Sequence, residues 1–267
     1  MAGALIEGLL KRGVPAGDLH VIDVSESIRD KWQSKGLSVS CEPDTSLSTH
    51  RIWVLAVKPQ QLENVAMSLR PFLTDDTLVV SIAAGISLQT LSKWLGEGAK
   101  PWHRVVRAMP NTPALVEKGV TGLVASSGVA VSDQQNVQNL LTAVGEVVWV
   151  ESDQMIDAIT ALSGSGPAYV FRFIEAMVQG GLALGLDEIQ AKQLTLATLF
   201  GATELAAQST EPVSVLRERV TSKGGTTQAA LDVLDQHAFV DTVSLAMRAA
   251  FERAGELSKT LGGENTT

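Results

Sequence analysis

Gly224, Gly225, Thr226 and Thr227 stand directly ahead of a helical pattern in which Ala230, Leu231, Leu234 and Ala238 recur at i, i+1, i+4 and i+8. A helix N-terminus prepared in this way turns unpaired backbone N–H groups and the positive end of its dipole toward an anion. The two threonine hydroxyls add groups that donate or accept. A carboxylate or a phosphate suits such a place. An ordinary loop closed by a threonine N-cap is written with the same letters, so this stretch alone leaves both readings open.

Four more loops of small residues and prolines must be positioned by the elements before them: Asp23-Val24-Ser25, Ala56-Val57-Lys58-Pro59, Ala83-Ala84-Gly85 and Met109-Pro110-Asn111-Thr112-Pro113. Each closes a short apolar run, at 19–24, 52–57, 78–82 and 104–108. Helical segments follow the first three, running through Lys35, from Pro59 to Leu69, and from a Ser87 cap to Leu95. This alternation predicts a parallel sheet buried on both faces, whose ligands lie beyond the carboxyl ends of the strands. Taken singly, Pro-Asn-Thr-Pro is a plain turn and Lys58 a solvated charge. Together the loops admit a flat ligand close to the backbone, and Asp23 is placed to hydrogen-bond a ribose diol. Residues 121–125 and 147–150 read as the last strands, parted by a helix that opens on a capping box, Ser132 to Gln135.

After Val150 the strand signal stops. We therefore expect a dinucleotide-binding domain over 1–150 and an all-α domain over 151–267. In the second, a helix begins at Pro167 and Gly185 ends it, Asp187 and Gln190 form a capping box for another, Pro212 opens a shorter one, and the last covers 240–261. Ala168, Ala176, Gly180, Gly181 and Ala183 spread small residues around the first of these helices, which predicts burial on more than one side and an intimate homodimer.

The chain opens on a helix with no strand before it. A dinucleotide fingerprint has a strand, then Gly-x-Gly-x-x-Gly or Ala entering a helix, then an acidic residue about 20 positions on. With Ala2 as the last small residue of that fingerprint, Asp23 falls at the required place and Met1 lies inside the phosphate loop. On this expectation the first strand and the two leading glycines are lost ahead of Met1, and the pyrophosphate is held poorly.

With 267 residues, 45% of them hydrophobic and 19% charged, the chain suits two well-filled domains. The net charge of −8 without a Lys/Arg cluster argues against nucleic acid. No run reaches membrane-spanning length and no signal peptide is evident, so the cytoplasm is expected. The one cysteine, Cys41, has no disulfide partner and reads as a half-buried apolar residue, with no metal site.

These motifs together resemble the pyrroline-5-carboxylate reductase family across essentially the whole chain. They are Met1-Ala-Gly-Ala-Leu-Ile6, Ala56 to Pro59, Ser81-Ile-Ala-Ala-Gly85, Arg107-Ala-Met-Pro-Asn-Thr-Pro113, Ser163-Gly-Ser-Gly-Pro-Ala168, and the stretch 221–235. The resemblance implies a Rossmann-like parallel-sheet domain followed by an all-α dimerisation domain. It also implies hydride transfer from NADPH or NADH to the C=N carbon of 1-pyrroline-5-carboxylate, giving L-proline. By that resemblance Ser222, Gly224, Gly225, Thr226 and Thr227 hold the substrate carboxylate, and Thr227 orients the ring nitrogen. Met1, Ala2, Asp23, Ser25, Ala56 to Pro59, Ala83 to Gly85, and Met109, Pro110 and Asn111 line the cofactor. None of His20, His50, His103 and His237 falls on a family motif.

The Asp23 carboxylate repels a 2′-phosphate and leans toward NADH, although the family commonly uses NADPH. Two other readings stay open: a dehydrogenase relying on a lysine, with Lys192 and Lys223 as candidates, and an inactive paralogue kept for its dimerising helices.

Overall fold

The structure is a computed structural model and describes residues 1–262. The chain packs into two compact units. One is Met1–Ser165 together with the chain end from Ala250, and the other is Gly166–Ala249.

The first unit begins with helix α1 (Ala2–Lys11), then strand β1 (His20–Ile22), α2 (Glu26–Gln33) and β2 (Ser38–Ser40). It continues through β3 (Ile52–Leu55), α3 (Pro59–Leu69), β4 (Leu78–Ser81), α4 (Leu88–Leu95) and β5 (Val105–Met109). Then come β6 (Gly119–Ala125), α5 (Val131–Leu141), β7 (Gly145–Trp149) and α6 (Asp153–Ile159), which runs into a π-helical turn, Thr160–Gly164. β1 and β2 form a parallel pair, and β3 to β7 form a five-stranded sheet in sequential order.

Alternation along the central strands divides the larger sheet's side chains between two cores. Val79, Val105, Trp53 and Leu55 pack on one face beneath Leu62, Ala66 and Leu69 of α3 and Leu91, Trp94 and Leu95 of α4. Leu78, Val80 and Val106 pack on the other beneath Leu5 of α1 and Val137 and Leu141 of α5. Leu62 and Val80 are fully buried, each worth about 1.5–3 kcal/mol of apolar transfer. This doubly covered sheet is the Rossmann-like layer arrangement expected.

Several expectations are corrected. β6 runs antiparallel to β5, pairing Arg107 with Val124 and Met109 with Gly122. The segment between Met109 and Gly119 is too short for the crossover that a parallel pair demands, whereas α5 returns β7 parallel to β6. The helix expected to open on Ser132 starts at Val131 with Ala130 at its N-cap, and no side chain caps it. Asp133 does not serve a capping box; it is buried, and its carboxylate accepts from Arg51 and Arg104. Cys41 is exposed, not half-buried.

The second unit holds α7 (Gly166–Ala183), α8 (Glu188–Gln208), α9 (Val213–Arg219), α10 (Thr226–Gln236) and the first part of α11 (Phe239–Leu261). The Asp187–Gln190 capping box on α8 is present in full. α7 departs from expectation: none of its residues is buried, and Phe171 is 60% exposed. Small residues around its circumference permit close packing; within one chain α8 lies against it, and Phe173 meets the Phe239 ring of α11 with centroids 6.3 Å apart. Among the described residues, no helix is long and apolar enough to cross a membrane.

Candidate active site

Because β3, β4 and β5 are mutually parallel, the loops at their carboxyl ends share one edge of the sheet. Ile22, Leu55, Val57, Ala83 and Ile86 belong to the same core cluster, so the loop after β1 joins that edge too. Four of the loops singled out in the sequence are thereby brought together.

In the first loop, the Asp23 carboxylate accepts from the Ser25 backbone N–H at 2.8 Å, and Arg29 donates to the Asp23 carbonyl at 2.7 Å. One carboxylate oxygen is thus fixed while the other remains available to a diol. Ser25 is the N-cap of α2, with its hydroxyl 3.0 Å from that of Ser27. In the second loop, Lys58 is the N-cap of α3 and Pro59 its first residue, the position where a missing N–H costs no helical bond. Ala56 and Lys58 are exposed and Val57 is half-buried. In the third, Ala83 is buried and donates its N–H to Ser81 Oγ at 3.3 Å, while Ala84 is exposed. Gly85 has φ +74°, and a Cβ there would meet Leu261 at 3.2 Å and Leu257 at 3.3 Å. The loop therefore needs glycine for both conformation and space.

Met109 ends β5, and Pro110 and Asn111 follow it. The Asn111 amide is spent within the protein: Nδ2 donates to the Ser163 carbonyl at 3.1 Å and Oδ1 accepts from the Val120 N–H at 2.9 Å. The Ser163 carbonyl lies in the π-helical turn, where widened pitch disturbs the backbone hydrogen bonds. Beside it, a Cβ on Gly164 would approach the Met109 methyl to 2.6 Å. Sequence reading did not foresee this latch, because a π turn has no letters of its own.

Met1 is the N-cap of α1 and Ala2 its first residue. Leu5 fixes this helix on the sheet, and Gly3 lies against the Trp32 ring. Among the described residues no side chain caps α1, α2 or α3. The first N–H groups of α1 and α2 stay open beside an edge of small residues, an arrangement that fits a dinucleotide phosphate, while Asp23 fits the ribose; α3 offers fewer, because Pro59 has no N–H and Gln61 donates to the Lys58 carbonyl at 2.9 Å.

Ser222 to Thr227 lie in the second unit. Gly224 has φ +71°, a conformation that favours glycine. Gly225 donates to the Ser222 carbonyl at 3.0 Å, and a Cβ on it would collide with the Ser222 hydroxyl. Gly225, not a threonine, is the N-cap of α10, so the cap reading of the threonines fails. Both hydroxyls are left without a hydrogen-bond partner among the described residues, with Thr227 half-buried. A helix start with open N–H groups, two free hydroxyls and a third from Ser222 is equipped to bind a carboxylate.

One buried ion-pair cluster escaped the sequence. Arg107 is buried in β5 with its side chain 3% exposed, and it pairs with Asp153 at 2.7 Å and Asp157 at 3.0 Å on α6. The signal was present: an Arg inside an apolar run needs acids, and two stand at i, i+4.

A doubly covered sheet with open helix starts and an acidic residue at the end of its first strand along one edge has the layout of a nicotinamide-dinucleotide-dependent oxidoreductase. Residues 1–85 accordingly match the family model described as "NADP oxidoreductase coenzyme F420-dependent", and residues 153–257 match "Pyrroline-5-carboxylate reductase dimerisation". A pyrroline-5-carboxylate reductase of Pseudomonas aeruginosa is 41% identical, with 98% of this chain and 95% of that one aligned. The structure of a pyrroline-5-carboxylate reductase from Coxiella burnetii superposes with a TM-score of 0.90 at 37% identity, covering 97% of this chain and 95% of that one. A Plasmodium falciparum pyrroline carboxylate reductase with NADP bound superposes at 0.82 with 29% identity, covering 96% and 94%. The chain belongs to the pyrroline-5-carboxylate reductase family.

Proposed function

We propose that this chain reduces the C=N bond of 1-pyrroline-5-carboxylate to give L-proline, the last step of proline synthesis, using NADPH or NADH. The observation that carries the reading is the uncapped start of α10, where Ser222, Gly224, Gly225, Thr226 and Thr227 form an anion site. It lies inside the segment that matches the reductase dimerisation family.

In this reading the backbone N–H groups after Gly225, with the Ser222 hydroxyl, hold the substrate carboxylate without a buried cation. The Thr227 hydroxyl turns toward the ring nitrogen. A neutral threonine is a poor general acid, so it orients the nitrogen while water or prior protonation supplies the proton. Bound NAD(P)H supplies the hydride. Residues 1–150 hold the dinucleotide through Met1, Ala2, Asp23, Ser25, residues 56–59, 83–85 and 109–111, and residues 151–267 hold the substrate and dimerise. Holding the two reactants in register accounts for most of the rate.

A homodimer, or a larger oligomer built on it, is supported by the dimerisation match over 153–257 and by exposed apolar side chains on α7 and α8. Among these are Phe171 at 60%, Phe200 at 70% and Leu194 at 54%. The single exposed Cys41 suits a reducing cytoplasm.

The test is turnover. Purified protein given 1-pyrroline-5-carboxylate and NADPH or NADH consumes reduced nicotinamide and forms an equal amount of L-proline. No proline with either cofactor would contradict the reading. The same assay on Thr227→Ala is expected to lose more in kcat than in KM, and Ser222→Ala the reverse.

A further inference from the structure

Asp153 occupies three positions at once. It is the first residue of α6, it pairs with the buried Arg107 at 2.7 Å, and its two carboxylate oxygens lie 3.3 and 3.1 Å from the backbone nitrogen of Leu88. Leu88 opens α4. Its N–H is one of the donors a helix start leaves unpaired, and Ser87 Oγ already serves the Thr90 N–H at 3.0 Å. The dipole at the start of α4 favours the carboxylate there.

The segment leading into α4 is the Ala83–Ala84–Gly85 loop. On one side Gly85 is packed against Leu257 and Leu261. On the other, the loop's exit is held by Asp153. Arg107 fixes that carboxylate from beneath, and it is anchored in turn by Asp157 at 3.0 Å. With 3% of its side chain exposed, Arg107 has few other positions to adopt, so the acid it holds is held firmly.

We propose that Asp153, oriented by Arg107, is a positioning residue for cofactor binding: by fixing the first N–H of α4 it holds the 83–87 loop in the conformation that receives the dinucleotide. This rests on the reading of residues 83–85 as part of the cofactor site. It assigns no chemical step to Asp153, which acts through the backbone.

The donor can be deleted without touching the acid. Proline is accepted at the first position of a helix, and Ser87 already has the extended conformation, φ −73° and ψ 158°, that precedes proline. Leu88→Pro therefore removes the N–H, and Leu88→Ala controls for the lost side chain, which packs on the core beside Leu91. The cofactor Kd is measured by quenching of tryptophan emission, alongside amide hydrogen exchange of residues 83–90 in the cofactor-free protein.

Relative to Leu88→Ala, Leu88→Pro should raise the Kd for NADPH or NADH about fivefold, the worth of one hydrogen bond, and speed exchange in the loop. Asp153→Ala should do the same and raise the cofactor KM more than it lowers kcat. Asp153→Asn keeps one acceptor but turns a donor toward either Arg107 or the Leu88 N–H, so its Kd should fall between wild type and Asp153→Ala, whereas Asp157→Asn leaves the Leu88 bond intact and should stay within about twofold of wild type. Equal Kd and equal loop exchange in Leu88→Pro and Leu88→Ala would overturn the proposal, as would Asp157→Asn weakening binding as much as Asp153→Ala. If the wild type binds no dinucleotide, the functional reading falls and this inference with it. If the wild type binds and the variants do not differ, this inference alone fails.

Discussion

Ser222 and Gly225 are in direct contact at the turn before α10: Gly225 donates its N–H to the Ser222 carbonyl at 3.0 Å, and the serine hydroxyl fills the space a Cβ would take. Gly225→Ala therefore displaces the hydroxyl first, since a serine side chain rotates at little cost, and it also crowds the Ser222 carbonyl oxygen at 3.1 Å. It should raise the KM for 1-pyrroline-5-carboxylate about tenfold, matching the effect of Ser222→Ala. The double variant should be no worse than either alone. Steady-state kinetics of the three proteins check this; additive losses would show that the two residues act separately.

The side-chain amide of Asn111 bridges two backbone groups, the Ser163 carbonyl at 3.1 Å and the Val120 N–H at 2.9 Å. Asn111→Ala leaves both groups unpaired and should cost about 1–3 kcal/mol of stability in denaturant titration. Asn111→Asp should cost more, because its second oxygen faces the Ser163 carbonyl.

Asp23 keeps one oxygen on the Ser25 N–H. Asp23→Asn preserves that acceptor while removing the charge that opposes a 2′-phosphate. The ratio of kcat/KM with NADPH to that with NADH should rise about tenfold. An unchanged ratio would remove Asp23 from the ribose site.

How much of this was legible in the sequence depended on what each residue needs locally. Gly224, Gly225, Gly85 and Pro59 announce turns and helix starts through backbone preferences alone, so the loops were readable one at a time. β2, the three-residue Ser38–Ser40, carries no apolar run and went unseen; it exists because it pairs with β1. Apolar letters do not encode strand polarity, so the direction of β6 had to be read from the short segment between Met109 and Gly119, which leaves no room for a crossover. The exposure of α7 escaped for another reason, since small residues mark close packing without saying which chain supplies the neighbour. Asp153 and Asp157 stand one helical turn apart, but Arg107 is far from both in sequence, and only the fold shows that it meets them.

His20 pairs with Ser38 in the β1–β2 register, its ring nitrogens 2.8 and 3.0 Å from the Ser38 and Ser40 hydroxyls. Burial, and secondarily the neighbouring His50, lower its pKa below the ordinary 6.5, with Asp44 opposing. The folded protein therefore takes up the proton less readily than the unfolded chain. The stability this represents is fully present above pH 6.5 and is lost as pH falls from there through the lowered value. Melting temperature should decline over that interval, and His20→Asn should flatten the decline. An equally steep profile in the variant would assign it to other groups.

Lys192 and Lys223 are both exposed. A dehydrogenase dependent on a lysine would lose its activity on replacement of one of them. Lys192→Ala and Lys223→Ala should each keep kcat within about threefold of wild type in imine reduction.

The central claim is hydride delivery to the carbon of a cyclic imine, and isotope transfer tests it most directly. With NADPH or NADH deuterated at the transferring position of nicotinamide C4, the L-proline formed should carry one deuterium, on the ring carbon that was the imine carbon. Proline without label, or label at any other position, would contradict the account.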